Sequence, residues 1–291
     1  MTDHPTVRES KFRHAREEAV DARRTTPTPQ TQSKSYALAF QDTEFLLRDD
    51  LRPVRFQLEL LKPELLLDEA KIASTFVFYG SARIPEPEFA QARVDAALDD
   101  HERKVAERLA AKSRYYEEAR KLARIAAQFP PNEAGCHHFV VCSGGGPSIM
   151  EAANRGAADV GAQTIGLNIV LPHEQAPNPY VTPDLSFQFH YFALRKMHFT
   201  LRARALAVFP GGFGTFDEFF ELLTLVQTGK MKRIPILLFG KDFWTRVVNF
   251  EALAEEGVIS PRDLDLISWV ETAEEAWAVV EDFYADDALD C

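Results

Sequence analysis

Apolar positions along this chain follow two periods that alternate over most of its length. Short runs rich in β-branched, aliphatic and aromatic residues occur at Ala73–Tyr79, Phe139–Cys142, Thr164–Ile169, Phe187–His190, Ala205–Phe209, Ile236–Phe239 and near Leu266–Val270. Each is bounded by turn residues and too short for a stable helix, so each predicts a buried strand. Between them, apolar residues recur at helical spacing over His101–Phe129, Ser148–Val160, Phe192–Arg204, Phe219–Gln227, Asp242–Glu255 and Ala273–Tyr284, which predicts helices. Strands alternating with helices predict an α/β fold with a mainly parallel sheet and helices on both faces.

The ends of the chain break this rhythm. Residues 42–70 carry Phe45, Leu46, Leu47, Phe56, Leu58, Leu60 and Leu61 at helical spacing, with Pro53 and Pro63 interrupting; two or three short extra N-terminal helices are expected there. Residues 1–36 are polar and close on Thr26-Pro27-Thr28-Pro29-Gln30-Thr31-Gln32. Such a stretch buries too little apolar surface to offset its ordering entropy, so a disordered tail is expected. The organisation predicted is a tail over 1–36, then one domain over 37–291 with a helical extension over 37–70. Pro172 to Pro183 is rich in Pro and Asn and predicts an irregular loop.

Composition narrows the partners. Of 291 residues 46% are hydrophobic, enough for a sizeable core, and the formal net charge is −11. A globally acidic chain argues against nucleic acid as the main partner while leaving room for a local anion pocket. No apolar stretch approaches the ~20 residues that span a bilayer, so no membrane partner is expected. The N-terminus lacks the apolar core of a secretory signal. The cysteines, Cys136, Cys142 and Cys291, match no metal spacing, and their odd count points to no disulfide framework. The compartment expected is the reducing cytoplasm, with Cys142 as inert core.

Three predicted strands end in glycine turns: Gly80-Ser81, Ser143 to Gly146, and Gly211 to Gly214. In a parallel sheet, ligands sit beyond the carboxyl ends of the strands, so these turns are expected to open on one edge and form a nucleotide-sized site. The most particular is Pro210-Gly211-Gly212-Phe213-Gly214-Thr215-Phe216-Asp217-Glu218. Strand, glycine turn and helix in that order leave backbone N–H groups and the positive end of a helix dipole facing outward, where a phosphate fits. Thr215 can cap the helix or donate to an anion. Glu218, expected in the first helical turn, adds a carboxylate beside that cradle. The run lacks the Lys-Ser or Lys-Thr of a Walker loop and the spacing of the dinucleotide fingerprint. Glycines of this kind also serve as plain tight connections in α/β proteins.

Further candidates surround the turns. Arg195 and Lys196 lie in a helix whose neighbours are almost all apolar or aromatic, so their charges need partners; a phosphate and Glu218 would supply them. Glu218 and Glu221 share a helix face and can act together in acid–base work or simply complement the helix dipole. Asp217 is expected to face solvent. Glu151, after the second glycine turn, can reach the site or lie on a plain helix face. His190 and His198 match no metal-ligand spacing, no metal is expected, and His137-His138 reads as surface.

Three of these pieces together, Gly144-Gly145-Gly146-Pro147-Ser148-Ile149-Met150-Glu151, Arg195-Lys196 and Pro210 to Glu218, resemble the Lonely Guy (LOG) family of nucleoside 5′-monophosphate phosphoribohydrolases, earlier labelled lysine decarboxylase-like. The resemblance spans roughly residues 73–240, and the Phe-rich segment after Phe187 is similar to a longer bacterial branch. It implies a Rossmann-like fold, a homodimer or higher homo-oligomer, and no cofactor. It implies hydrolysis of the N-glycosidic bond of AMP or an N6-modified AMP such as a cytokinin riboside monophosphate, releasing the base and ribose 5-phosphate. Arg195 and Glu218 would be the catalytic pair; Gly211, Gly212, Gly214 and Thr215 would hold the phosphate. Gly80, Ser81, Gly144, Gly145, Gly146 and Lys196 would complete the nucleotide pocket, with Glu151 and Glu221 as further candidates. The alternatives are a sensor or carrier that binds the nucleotide without hydrolysis, a pyridoxal-phosphate decarboxylase, for which no Schiff-base lysine site is visible, and a pyridine-nucleotide dehydrogenase.

Overall fold

A computed structural model of the chain describes residues 13–172 and 176–286. Seven strands, β1 (Thr75–Tyr79), β2 (Val140–Ser143), β3 (Thr164–Ile169), β4 (Ser186–Phe189), β5 (Ala203–Val208), β6 (Ile236–Phe239) and β7 (Ser268–Val270), form one sheet in the order β4-β3-β2-β1-β5-β6-β7. All pairings between these strands are parallel. The fold is Rossmann-like α/β.

The central strand explains why both faces need cover. All five residues of β1 are buried. Phe76 and Phe78 turn to one face and join a core with Tyr116, Leu122, Ile149 and Val280, supplied by the helices Arg114–Ala127, Ile149–Ala158 and Ala273–Phe283. Tyr79 turns to the other face, as pleating requires, and its ring meets that of Phe199 edge-on at 5.1 Å. Phe199 belongs to the helix Phe192–Leu201. Neither face is polar, so a strand of unbroken hydrophobicity is what this position demands.

The winding sets the site. From β1 the chain steps outward to β4, then returns to lay β5 beside β1 and continues to β7. The direction of winding therefore reverses between β1 and β5, where a crevice opens beyond the strand ends. Register pairs Tyr79 with Val208 and Phe78 with Ser143, so the turns after β1, β2 and β5 leave the sheet at one level.

Several elements differ from the sequence reading. The stretch 101–129 forms two helices, Asp100–Ala110 and Arg114–Ala127. The Ser113 hydroxyl donates to the Ala110 carbonyl at 2.7 Å and ends the first; alanine-rich flanks hide such a break. Residues 241–255 likewise form two helices, Lys241–Val247 and Phe250–Glu255, the second capped by Asn249. Pro53 and Pro63 do not interrupt: both lie in one helix, Arg52–Glu69. Pro53 sits in the first turn, where its missing N–H removes no intrahelical bond, and Pro63 is buried inside it. His138 is 3% exposed rather than on the surface, its ring Nδ1 3.2 Å from the Ser74 hydroxyl. Cys142 is buried and free, and burial pushes its thiol up.

The chain divides into two compact units, residues 1–59 and 60–291. In the first, the helices Ala15–Asp21 and Thr43–Leu46 carry no buried residue, and Arg55 donates to the carbonyls of Leu46 and Arg48 at 2.8 and 2.6 Å. The tail expected over 1–36 lies outside the described residues as far as residue 12. The second unit holds the sheet. No helix among the described residues is long and apolar enough to cross a membrane.

Candidate active site

The segment after β5 runs through Pro210, Gly211 and Gly212 into the helix Phe213–Gln227. This helix starts six residues before the apolar run Phe219–Gln227. Its opening turn faces a cleft instead of the core, so apolar periodicity is missing there and Glu218 lies in the second turn, not the first. Gly212 precedes the helix in extended conformation with no side-chain cap. The N–H groups of Phe213, Gly214 and Thr215 thus have no intrahelical acceptor and are available to an anion. Thr215 is 6% exposed and folds back over the turn: a Cβ on Gly211 would lie 2.1 Å from its hydroxyl oxygen. Only glycine admits that approach.

Arg195 and Glu218 meet at the back of this cleft. The guanidinium donates from Nη1 to Glu218 Oε1 at 2.8 Å and from Nε to the Leu167 carbonyl at 2.6 Å, with the Phe199 ring centroid 5.0 Å from its central carbon. Its side chain is 11% exposed and that of Glu218 is 13% exposed. Burial pushes the Glu218 carboxyl up to about 7, against the pull of Arg195, which favours its ionised form. The result is a carboxyl group poised to give or take a proton near neutrality.

The cleft has a volume of about 900 Å³, within the usual range for small-molecule sites. It brings together Gly80, Ser81, Gly144, Arg195, Gly211, Gly212, Gly214, Thr215 and Glu218. Other sequence candidates stand elsewhere. Lys196 Nζ lies 2.9 Å from Glu221 and 3.2 Å from Asp217, a surface-side cluster that does not line the cleft. Gly145 and Gly146 point their carbonyls at Asn178, which donates to them from its backbone N–H and side-chain amide at 2.8 and 3.0 Å. Asn178 also donates to Asn154 at 2.8 Å, and Ser143 donates to the same oxygen at 2.7 Å. These two glycines therefore shape the turn from behind, Gly145 at φ +72°. Glu151 faces a neighbouring chamber, accepting from the Tyr116 hydroxyl at 3.4 Å.

Sequence reasoning missed most of the apolar wall. Met150, Phe192, Phe213, Phe243 and Val247 all line the cleft, and Phe213 is 96% exposed. Phe243 and Val247 come from the helix after β6. A signal was present: β6 also ends in a glycine, Gly240 at φ +86°, and its neighbour β5 carries the cradle. Arg83, after the first glycine turn, also lines the cleft. Among the described residues, no lysine does.

A family model described as possible lysine decarboxylase matches residues 150–280. A cytokinin riboside 5′-monophosphate phosphoribohydrolase of Arabidopsis thaliana is 26% identical over 147 residues, covering 50% of this chain and 67% of that protein. A second Arabidopsis protein of the same description is 30% identical over 90 residues, 31% of this chain and 42% of that one. A pyrimidine/purine nucleotide 5′-monophosphate nucleosidase of Escherichia coli K12 is 31% identical over 126 residues, 38% of this chain and 26% of the nucleosidase.

Proposed function

Because the chain belongs to the Lonely Guy (LOG) family, we propose that it hydrolyses the N-glycosidic bond of a purine nucleoside 5′-monophosphate, AMP or an N6-modified AMP, to the free base and ribose 5-phosphate. The observation that carries this reading is the buried Arg195–Glu218 pair, 2.8 Å apart, opening into a cleft whose other wall is the amino end of the Phe213–Gln227 helix. A phosphate held by that helix end fixes the ribose beside Glu218 and removes most of the entropic cost of the encounter.

Cleavage passes through an oxocarbenium-like sugar, as in glycoside hydrolysis. Ionised Glu218 stabilises that positive charge and takes a proton from the attacking water. The water oxygen bonds to the anomeric carbon as the C–N bond breaks, and the proton taken up by the carboxylate is the one needed by the departing base. A carboxyl group near 7 can accept and release it in turn. Arg195 holds Glu218 in place and limits how far burial raises it. The same pair weighs against a carrier without chemistry: binding a phosphate needs no buried carboxylate, and a negative group there opposes an anionic ligand. The lysine-free lining weighs against Schiff-base chemistry.

The test is incubation with a panel of nucleoside monophosphates and chromatography for free base and ribose 5-phosphate. Stoichiometric release of both supports hydrolysis; tight nucleotide binding with no release in any case favours the carrier.

A glycine on the cleft wall beside Arg195 offers a finer check. A Cβ on Gly144 would lie 2.5 Å from Arg195 Nη2 and 2.8 Å from Met150 Sδ. Both are ends of flexible side chains, so Gly144→Ala is expected to fold. It should displace the guanidinium by about 1 Å and lower kcat/KM about 10- to 100-fold. Full activity in this variant would mean that the placement of Arg195 is not limiting.

A further inference from the structure

Two cations line the cleft among the described residues, Arg83 and Arg195. Arg195 is committed to Glu218 and to the Leu167 carbonyl. Arg83 is exposed, and the hydrogen bonds of this residue run through its backbone. Its N–H donates to the Ser81 hydroxyl oxygen at 3.0 Å, and its carbonyl accepts from Arg93 at 3.0 Å. The Ser81 N–H in turn donates to the Pro210 carbonyl at 3.1 Å. These bonds fasten the Ser81–Arg83 turn directly against the turn that leads into the phosphate cradle, while the guanidinium has no ion-pair partner among the described residues.

We infer that Arg83 is the cation that closes on the 5′-phosphate, from the β1 side of the crevice, while the amides of Phe213, Gly214 and Thr215 meet it from the β5 side. Arg83 is then the residue that selects a phosphorylated ligand over a bare nucleoside. A helix end alone holds an exposed anion weakly. A guanidinium fork adds two charge-assisted hydrogen bonds of matched geometry. The buried Glu218 makes such a cation necessary, because an ionised carboxylate in the same cleft repels the phosphate and Arg195 is already spent on it. Room for movement exists: a smaller chamber of about 370 Å³ shares Ala82 and Arg83 with the cleft and carries Glu86 and Glu151 on its wall. The side chain can withdraw there while the cleft is empty.

The inference rests on the nucleotide reading above, and one experiment separates the two. Ribose 5-phosphate is titrated calorimetrically into the wild-type protein, Arg83→Ala and Arg83→Lys, and KM for AMP is measured on each. Arg83→Ala is expected to weaken ribose 5-phosphate about 10- to 100-fold, with KM for AMP rising in step and Arg83→Lys falling between. Because Arg83 is exposed, both variants are expected to keep the wild-type melting temperature. Unchanged ribose 5-phosphate affinity in Arg83→Ala, with a wild-type protein that hydrolyses AMP, overturns the role of Arg83 alone. A wild-type protein that releases no base from any monophosphate overturns the nucleotide reading and this inference with it.

Discussion

Glu218→Gln is expected to reduce base release from AMP by about 10²- to 10⁴-fold, the usual worth of a positioned acid–base group, while ribose 5-phosphate still binds. The amide keeps the size and can still meet Arg195, but it can neither carry the negative charge that steadies an oxocarbenium ion nor accept a proton from water. A variant as active as the wild type would remove Glu218 from the chemistry. The same substitution reports on the burial of this group. The folded-state carboxyl lies at about 7, above the ordinary 4.5, so between those values the folded protein binds more protons than the unfolded chain. Stability is therefore fully present below about 4.5 and declines as pH rises through about 7, by about 3 kcal/mol from this group. Glu218→Gln lacks that decline. Chemical denaturation at pH 5 and pH 8 should show the variant gaining on the wild type as pH rises; the opposite sign would mean that Arg195 outweighs burial and holds the carboxyl low. In the wild type, kcat should climb through the same region, above the second ionisation of the substrate phosphate near about 6.

What could be read from the sequence followed physical visibility. The bounds of β3 and β6 stand at Thr164–Ile169 and Ile236–Phe239, because buried parallel strands are unbroken apolar runs with sharp ends. The convergence of the glycine turns after β1, β2 and β5 followed from the parallel sheet alone. The start of the Phe213–Gln227 helix was hidden because a turn that faces an open cleft need not follow the apolar period of the core-facing helix. Lys196 was harder still. Neighbours of Arg195 are mostly hydrophobic, but a helix rotates by about 100° per residue, and that rotation takes Lys196 out of the cleft to Asp217 and Glu221. The role of Gly145 and Gly146 depends on Asn178, 32 residues beyond Gly146 in sequence, and nothing local announces such a contact. Phe243 and Val247 lie beyond the single glycine Gly240, which ends β6 at φ +86° and by itself does not stand apart from a plain tight connection.

Arg195→Ala is expected to lower kcat/KM by about 10²- to 10⁴-fold and to destabilise the protein in a pH-dependent way. Two hydrogen bonds go with the guanidinium, one to Glu218 and one to the Leu167 carbonyl. Losing the cation leaves Glu218 buried without the group that favours its charged form, so its carboxyl rises further above 7 and is protonated at neutral pH. The activity that survives should then recover toward alkaline pH, with the rising limb displaced upward from that of the wild type. A loss caused by misfolding would scale all pH values alike. At pH 8, where the wild-type carboxyl is ionised, breaking the pair should cost about 3–5 kcal/mol; at pH 5, where Glu218 is neutral in both proteins, the cost should be smaller. Adding Glu218→Gln to Arg195→Ala should restore part of the stability lost at pH 8, because it removes the orphaned charge, and restore none of the activity. Equal destabilisation at pH 5 and pH 8, or additive effects of the two substitutions, would mean that the 2.8 Å contact does not couple the two ionisations, and the division of labour between cation and carboxylate would have to be abandoned.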